Sequence, residues 1–168
     1  MINYRNGVFE TNSSTVHALC IGKDSLVQPV KSVIFKHASF GNYSDKEVYI
    51  SKDARASYLY ELLLHDASLS GVPFEDSANV KTVKKYLDDK NILYAFEDET
   101  ENTVSFYDNR YGYANILDYI LASSDNFMQY LFGDNILLLV KYDHYMVDDA
   151  RRCVVSQIDK ARYKCVVA

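Results

Sequence analysis

Tryptophan is absent from the 168-residue sequence, and proline and glycine are scarce, with two and six residues. No Pro- or Gly-rich linker divides the chain, so we predict a single domain that spans residues 1–168. The most apolar stretch, residues 136–140, is five residues long, whereas a membrane-spanning helix needs roughly 20. We therefore expect the protein to have no membrane partner.

Cysteine is also scarce. Cys20, Cys153 and Cys165 are odd in number and lack C-x-x-C spacing, which argues against a disulfide framework and a structural zinc site. We predict thiols at all three positions, in a reducing cytoplasm. The residues after Met1 are polar and include Glu10, so we expect no secretory signal peptide.

The residues that are present suit a globular domain, since 48% are hydrophobic and 24% are charged. Apolar runs predict strands at residues 16–21, 31–36, 48–50, 92–96, 136–140 and 163–167, with further candidates at 103–107 and 153–155. We expect residues 103–107 to neighbour residues 92–96. The continuous apolar run at 136–140 indicates a central or doubly buried strand.

Apolar residues at helical spacing predict the helices. We expect one to start at an Asp53 cap and run through Leu64, and a second to start at Ser77. Residues 114–122 form a third, and Ser124 caps a fourth that Gly133 ends. The order of elements predicts an α+β fold, a single compact domain with a mixed or antiparallel sheet and about four helices.

Charge is distributed unevenly along the chain. The net charge is −5, so the whole molecule is a poor non-specific ligand for nucleic acid. Residues 97–149 contain eleven acids and two bases, whereas residues 151–168 contain five bases and one acid. Two interpretations stay open: opposite surfaces that partly neutralise each other, or an acidic face that meets a basic partner.

Tyrosine is abundant, with 15 residues, and falls into two groups. Tyr58, Tyr86 and Tyr94 lie in apolar patterns and are predicted core residues. The second group, which includes Tyr111 and Tyr113, lies in the acidic stretch of residues 97–149. Tyrosine and arginine are common at protein interfaces, whereas stacking on nucleic-acid bases normally needs a basic groove. Packing inside the fold is the alternative. The predicted interface residues are Asp108, Arg110, Tyr111, Tyr113 and Asp118.

Residues 5–17, RNGVFETNSSTVH, form the densest polar motif. The hydroxyl and amide side chains compete for the backbone and favour a turn over a helix. Three interpretations stay open: a rigid hydrogen-bonded turn, a loop that binds an anion or ligand, or a catalytic hydroxyl–imidazole arrangement. The ligand-binding candidates are Arg5, Asn12, Ser13, Ser14 and His17. The candidates for catalysis, should the protein be an enzyme, are Glu10, Ser13, Ser14 and His17.

This motif resembles the opening R-x-G-x-F-E-T-N-S-S-S-x-H of a family of small proteins from bacteriophages and mobile elements. The sequence matches it at Arg5, Gly7, Phe9, Glu10, Thr11, Asn12, Ser13, Ser14 and His17, and has Thr15 where the family has serine. Similarity extends more weakly through residues 56–60 and 130–134. The resemblance implies a viral or mobile-element protein that acts inside a bacterial cell, and carries over no catalytic residue.

Other signals of a site are weak. His37, His65 and His144 are far apart and have no H-x-H or H-E-x-x-H spacing, so we expect no metal site. Asp143, Asp148 and Asp149 are expected to belong to a charged loop after the strand at 136–140, and the alternative is an acidic cluster around His144. The sequence has neither a P-loop nor G-x-G-x-x-G, so we expect no nucleotide cofactor and no other cofactor.

We predict a binding protein rather than an enzyme. Its expected partner is a host protein, for example a nucleic-acid-binding defence enzyme such as a CRISPR nuclease, whose phosphate groove an acidic surface can occupy. Direct nucleic-acid binding is not expected, and the oligomeric state is open. The alternatives are a small enzyme or ligand-binding protein built on the motif, and a self-assembling structural or regulatory phage protein.

Overall fold

In the computed structural model, residues 14–37, 46–49, 51–97, 113–143 and 162–167 are described, and side chains are described for all of these except 14–17, 46–49, 113–114, 139–143 and 165–167. The strands are β1 (Ser14–Gly22), β2 (Ser32–Phe35), β3 (Lys46–Tyr49), β4 (Leu93–Phe96), β5 (Ile136–Asp143) and β6 (Tyr163–Val167). The helices are α1 (Lys52–Ser70), α2 (Ala78–Asp89), α3 (Tyr113–Leu121) and α4 (Ser124–Phe132), with a 3-10 helix at Phe74–Asp76. The predicted α+β class is confirmed.

Four of the strands form an antiparallel sheet in the order β3-β5-β1-β6. Leu19 pairs with Leu138 of β5 on one side and with Val166 of β6 on the other. The predicted central position of β5 is confirmed, because β5 lies between β3 and β1. The same register places Cys20 opposite Cys165.

The other two strands, β2 and β4, form a separate parallel pair. Strands that pair in parallel need a long crossover, and here it contains β3, α1 and α2. Residues 103–107, predicted to lie beside β4, are outside the described part of the chain, and the partner that the structure gives β4 is β2. Residues 153–155, also predicted as a strand, lie outside it as well.

Helix α1 differs from its prediction at both ends. Ser51, not Asp53, is the N-cap, and its hydroxyl accepts the Ala54 N–H at 3.2 Å. Asp53 instead lies in the first helical turn, where a carboxylate also favours the helix. The helix continues past Leu64 to Gly71, whose left-handed backbone (φ 66°) ends it.

Caps also differ at the later helices. Ser77 occupies the N-cap position of α2, as predicted, but its side chain makes no capping hydrogen bond. Ser123 rather than Ser124 caps α4, its hydroxyl accepting the Asn126 N–H at 3.1 Å. Gly133 follows α4 with φ −64°, so it is not the predicted left-handed C′ residue. Glycine is required there because a Cβ would lie 2.5 Å from the Gln129 carbonyl oxygen.

The core lies between the helices and the two sheets. Its largest fully buried side chains include Tyr58, Tyr60, Tyr130, Phe35 and Phe127. Tyr58 is thus a core residue as predicted, while Tyr86 and Tyr94 pack against the core with part of their surface exposed. Burying such rings supplies much of the hydrophobic stabilisation.

One buried cation joins two helices. Arg55 of α1 is buried, and its Nη2 donates to the carbonyls of Leu131 at 3.0 Å and Gly133 at 2.9 Å. These carbonyls lie at the C-terminal end of α4, where a helix dipole attracts a cation. In return, the Tyr130 hydroxyl donates to the Arg55 carbonyl at 2.8 Å. Burial lowers the pKa of Arg55 and raises the pKa of Tyr130.

Candidate functional site

The candidate site lies where the parallel strands β2 and β4 end. His37 comes two residues after β2, and Glu97 directly follows β4. Parallel strands end with their carboxyl termini on the same side of the sheet, and ligands bind beyond these ends in open parallel sheets. Tyr60 and Glu61 of α1 also lie at this end of the sheet. We call His37, Tyr60, Glu61 and Glu97 the His37 cluster.

Hydrogen bonds hold the His37 cluster together. The His37 Nδ1 lies 3.1 Å from Glu61 Oε1, and the His37 backbone N–H donates to Glu97 Oε2 at 2.8 Å. The Tyr60 hydroxyl donates to the Glu97 carbonyl at 2.6 Å. The ends of both strands are therefore joined to each other and to α1.

Aromatic rings pack against one another and against the His37 ring of the cluster. Phe35 stacks on Phe96 with centroids 4.7 Å apart, and Phe74 meets Phe96 edge-on at 5.3 Å. Tyr60 contacts Phe74, Phe96 and the His37 ring, the last at 5.1 Å. Packed rings of this kind have few alternative rotamers, so they fix the imidazole and the carboxylates in place.

The chemistry of the cluster centres on an oriented imidazole. Glu61 is only 7% exposed, and a buried carboxylate needs a hydrogen-bond donor. When Nδ1 donates to it, Nε2 is left as an acceptor, the arrangement found in general bases and metal ligands. Nε2 is itself shielded and has no hydrogen-bond partner in the part of the chain that the structure describes. The imidazole therefore links the end of β2 to α1 through Glu61, and its other nitrogen is shielded from solvent.

The second feature of the site is an exposed apolar surface on the same two strands. The register pairs Ser32 with Leu93 and Ile34 with Ala95, and alternation puts all four on one side. Ile34 is 51% exposed, Leu93 is 74% exposed, and Ala95 is exposed as well. We call Ile34, Leu93 and Ala95 the open face.

The opposite side of this sheet is covered. Val33 and Phe35 are buried, and Tyr94 and Phe96 pack against the core. Parallel sheets normally have both faces covered, because helices cross over them. The open face is thus an apolar surface where this type of sheet usually has a protein layer.

The N-terminal motif is placed only in part. Ser14 and His17 belong to β1, where their backbones pair with Asp143 and Val140 of β5. Their side chains, and the predicted site residues Arg5, Glu10, Asn12 and Ser13, lie outside the described part. The three interpretations of the motif therefore stay predictions.

The predicted protein interface is likewise only partly described. Asp118 is exposed on α3, and Tyr113 is the first residue of that helix, while Asp108, Arg110 and Tyr111 lie outside the described residues. Lys164 of the basic C-terminal stretch lies 5.5 Å from the Tyr119 ring centroid. The basic and acidic stretches thus meet at α3.

Sequence reasoning missed both features of the site. No sequence spacing links His37 to Glu61 or Glu97, so the sequence predicts an isolated histidine. Ile34 and Leu93 belong to apolar runs, which predict burial. Residues 31–36 give no signal of an outward face, because their apolar residues, 33–35, are consecutive and do not alternate with polar ones.

Two searches of the described residues found nothing. They contain no group of three or more His, Cys, Asp or Glu side chains that could hold a metal ion. Among their helices, none is long and apolar enough to cross a membrane. Comparison of the chain with protein-family models, curated protein sequences and solved structures gave no significant match.

Proposed function

We propose that this protein is a binding protein of a bacteriophage or mobile element, and that it antagonises a host protein inside the bacterial cell. It acts by occupying its partner and catalyses no reaction. The observation that carries the proposal is the open face, an apolar surface on a parallel strand pair that no described element covers. The resemblance of residues 5–17 to a phage and mobile-element family supports the setting.

The open face has the energetics of a contact surface. Fully burying a leucine or isoleucine side chain stabilises a complex by about 1.5–3 kcal/mol. Ile34 and Leu93 are neighbours with half or more of their surface exposed, so covering both contributes a useful part of a binding free energy. The aromatic layer beneath them holds the sheet rigid, so little conformational entropy is lost on binding.

The acidic stretch supports a particular class of host protein. The protein carries net charge −5, and Asp118 on α3 is exposed with no ion pair among the described residues. A partner that binds nucleic acid presents a basic groove, to which an acidic protein is attracted. We therefore propose a nucleic-acid-binding defence enzyme as the partner, which makes the protein an anti-CRISPR-like inhibitor acting through Asp118 and its neighbours together with the open face.

The experiment is affinity capture of host proteins with three forms of the chain. The wild type is compared with the double variant Ile34→Gln, Leu93→Gln and with the control Leu69→Gln, a leucine near the C-terminal end of α1 that is 56% exposed. The proposal requires a captured protein that the double variant loses and the control keeps. Equal capture by all three forms, or no captured host protein, would refute it.

The acidic contribution is tested with the captured partner. Asp118→Asn removes one carboxylate of the acidic stretch, and Asp89→Asn removes another exposed carboxylate, at the end of α2. Electrostatic attraction predicts that only Asp118→Asn slows association, and that the difference shrinks as ionic strength rises. Association that is insensitive to Asp118 and to salt would exclude the acidic surface from the contact.

A further inference from the structure

We infer that the partner of the open face enters as an added strand along the free edge of β2, and that this strand is an extended acidic segment. The inference rests on the proposed function and concerns a segment of that partner other than the basic groove proposed to meet Asp118. Its evidence is the backbone of β2 and the lysines beside that strand, whereas the proposed function was argued from exposed apolar side chains.

The backbone of β2 has one edge that pairs with β4 and an outer edge, on which the Ser32 carbonyl accepts from the Lys52 Nζ at 3.4 Å. The Leu93 N–H donates to the Lys31 carbonyl at 3.0 Å, and the Glu97 N–H donates to the Phe35 carbonyl at 2.9 Å. In a parallel ladder alternate residues face the same neighbour, so Ser32 and Ile34 direct their N–H and C=O groups away from β4. Among the described strands β2 pairs with β4 alone, so no other described strand occupies its outer edge, where a further strand can be added.

Positive charge lines that outer edge. Lys31 and Lys36 flank β2 and are exposed, with no ion pair in the described ranges. The Lys52 Nζ lies 3.4 Å from the Ser32 carbonyl, on the open edge itself. Its carboxylate neighbour is Asp53 at 3.7 Å, which is 85% exposed and so screened by water. Three lysines outnumber the two exposed acids described beside β2, Asp53 and Glu97, so the surroundings of the edge carry a small positive excess.

The positive charge favours one kind of added strand over another at the outer edge of β2. A second copy of the chain that paired β2 with β2 would bring lysines against lysines, and edge lysines are a common defence against such pairing. An acidic strand gains the same backbone hydrogen bonds and places its carboxylates beside Lys31, Lys36 and Lys52. Alternate residues of the added strand then lie next to Ile34, on the exposed side of the sheet. Apolar side chains at these positions of the added strand would pack against the open face.

The test uses a displayed library of random dodecapeptides, selected against the full chain. We expect the enriched peptides to be acidic and to alternate apolar with polar residues. The best peptide is then synthesised and titrated against the wild type, Ile34→Pro and Ile34→Val. Because the Ile34 N–H points away from β4, proline removes a donor from the open edge without breaking the β2–β4 ladder, and valine keeps that donor.

We expect Ile34→Pro to weaken peptide binding by about tenfold or more and Ile34→Val to weaken it by less than about threefold. The charge reversal Lys31→Glu, Lys36→Glu keeps the backbone intact and is expected to abolish binding of acidic peptides even if the proline variant folds poorly. Enrichment of basic, uncharged or unpatterned peptides, absence of any enrichment, or binding that the charge reversal leaves unchanged would overturn the inference.

The result is separable from that of the proposed function. If host-protein capture depends on Ile34 and Leu93 but the selected peptides are not acidic strands, the binding function stands and strand addition fails. If capture does not depend on the open face, the proposed function itself fails, whatever the library yields.

Discussion

Ile34 of β2 lies directly beside Ala95 of β4 in the parallel register, and both are exposed. One position further along, Phe35 lies beside Phe96, and their rings stack on the covered side. A single strand pair therefore separates a packed aromatic layer from an uncovered apolar one. This asymmetry is the structural basis of the proposed binding function.

The His37 cluster predicts energetic coupling between two residues from distant elements. His37→Ala and Glu61→Ala each remove one side of the 3.1 Å contact, and we expect each to destabilise the fold by about 1–3 kcal/mol. The double variant should cost less than the sum of the two, by about 1 kcal/mol, since each single variant leaves the other group without this partner. Urea unfolding of the four proteins measures the cycle. Strictly additive costs would show that the contact contributes nothing.

Two glycines offer a matched comparison of substitutions to alanine. At Gly133 a Cβ would meet the Gln129 carbonyl, a backbone atom that cannot move away, so Gly133→Ala should cost about 2–4 kcal/mol. At Gly71 the φ of 66° is unfavourable for alanine but the surrounding space is open, so Gly71→Ala should cost about 1–2 kcal/mol. Denaturant unfolding compares them. A smaller cost at Gly133 than at Gly71 would contradict the packing around α4.

Tyr130 predicts a decline of stability at alkaline pH. Burial raises its pKa above the ordinary value of 10, and the nearby Arg55 guanidinium only partly offsets this. Between the two pKa values the folded tyrosine keeps a proton that the unfolded one has lost, so its contribution to stability is complete below about pH 10 and falls above it by about 1.4 kcal/mol per pH unit.

The control for this prediction is Tyr130→Phe, which lacks the titrating hydroxyl. It should be less stable than the wild type at neutral pH by about 1 kcal/mol, because the 2.8 Å bond to the Arg55 carbonyl is gone. Above pH 10 the difference between the two proteins should shrink. Burial lowers the pKa of Arg55 in both proteins, whereas the smaller opposing effect of Tyr130 on that pKa is lost in the variant. Parallel pH curves would contradict the assignment.

Local patterns were enough to predict most of the elements. The continuous apolar run of residues 136–140 gave the central strand β5, and helical spacing gave all four helices to within a few residues at most ends. The starts were less certain, because Ser51 and Asp53 are both good caps two positions apart. The hydroxyl of Ser51 forms the cap, and Asp53 remains in the first turn.

Local sequence patterns could not predict the candidate site, because it depends on which strands pair. The β2–β4 pair joins segments separated by α1 and α2, and apolar runs do not encode which strands pair. Without that pairing, His37 and Glu97 have no reason to meet. The exposure of Leu93 is equally non-local, because an apolar strand residue is expected to be buried until its sheet is known to lack a covering layer.

The most direct measurement of the central claim is an NMR spectrum of side-chain methyl groups, recorded free and with the captured host partner. The methyl resonances of Ile34 and Leu93 report on the open face, and those of Leu69, on an exposed part of α1, serve as an internal control. The account predicts shifts and cross-saturation from the partner at Ile34 and Leu93 and none at Leu69. Unchanged Ile34 and Leu93 resonances in a saturated complex would contradict it.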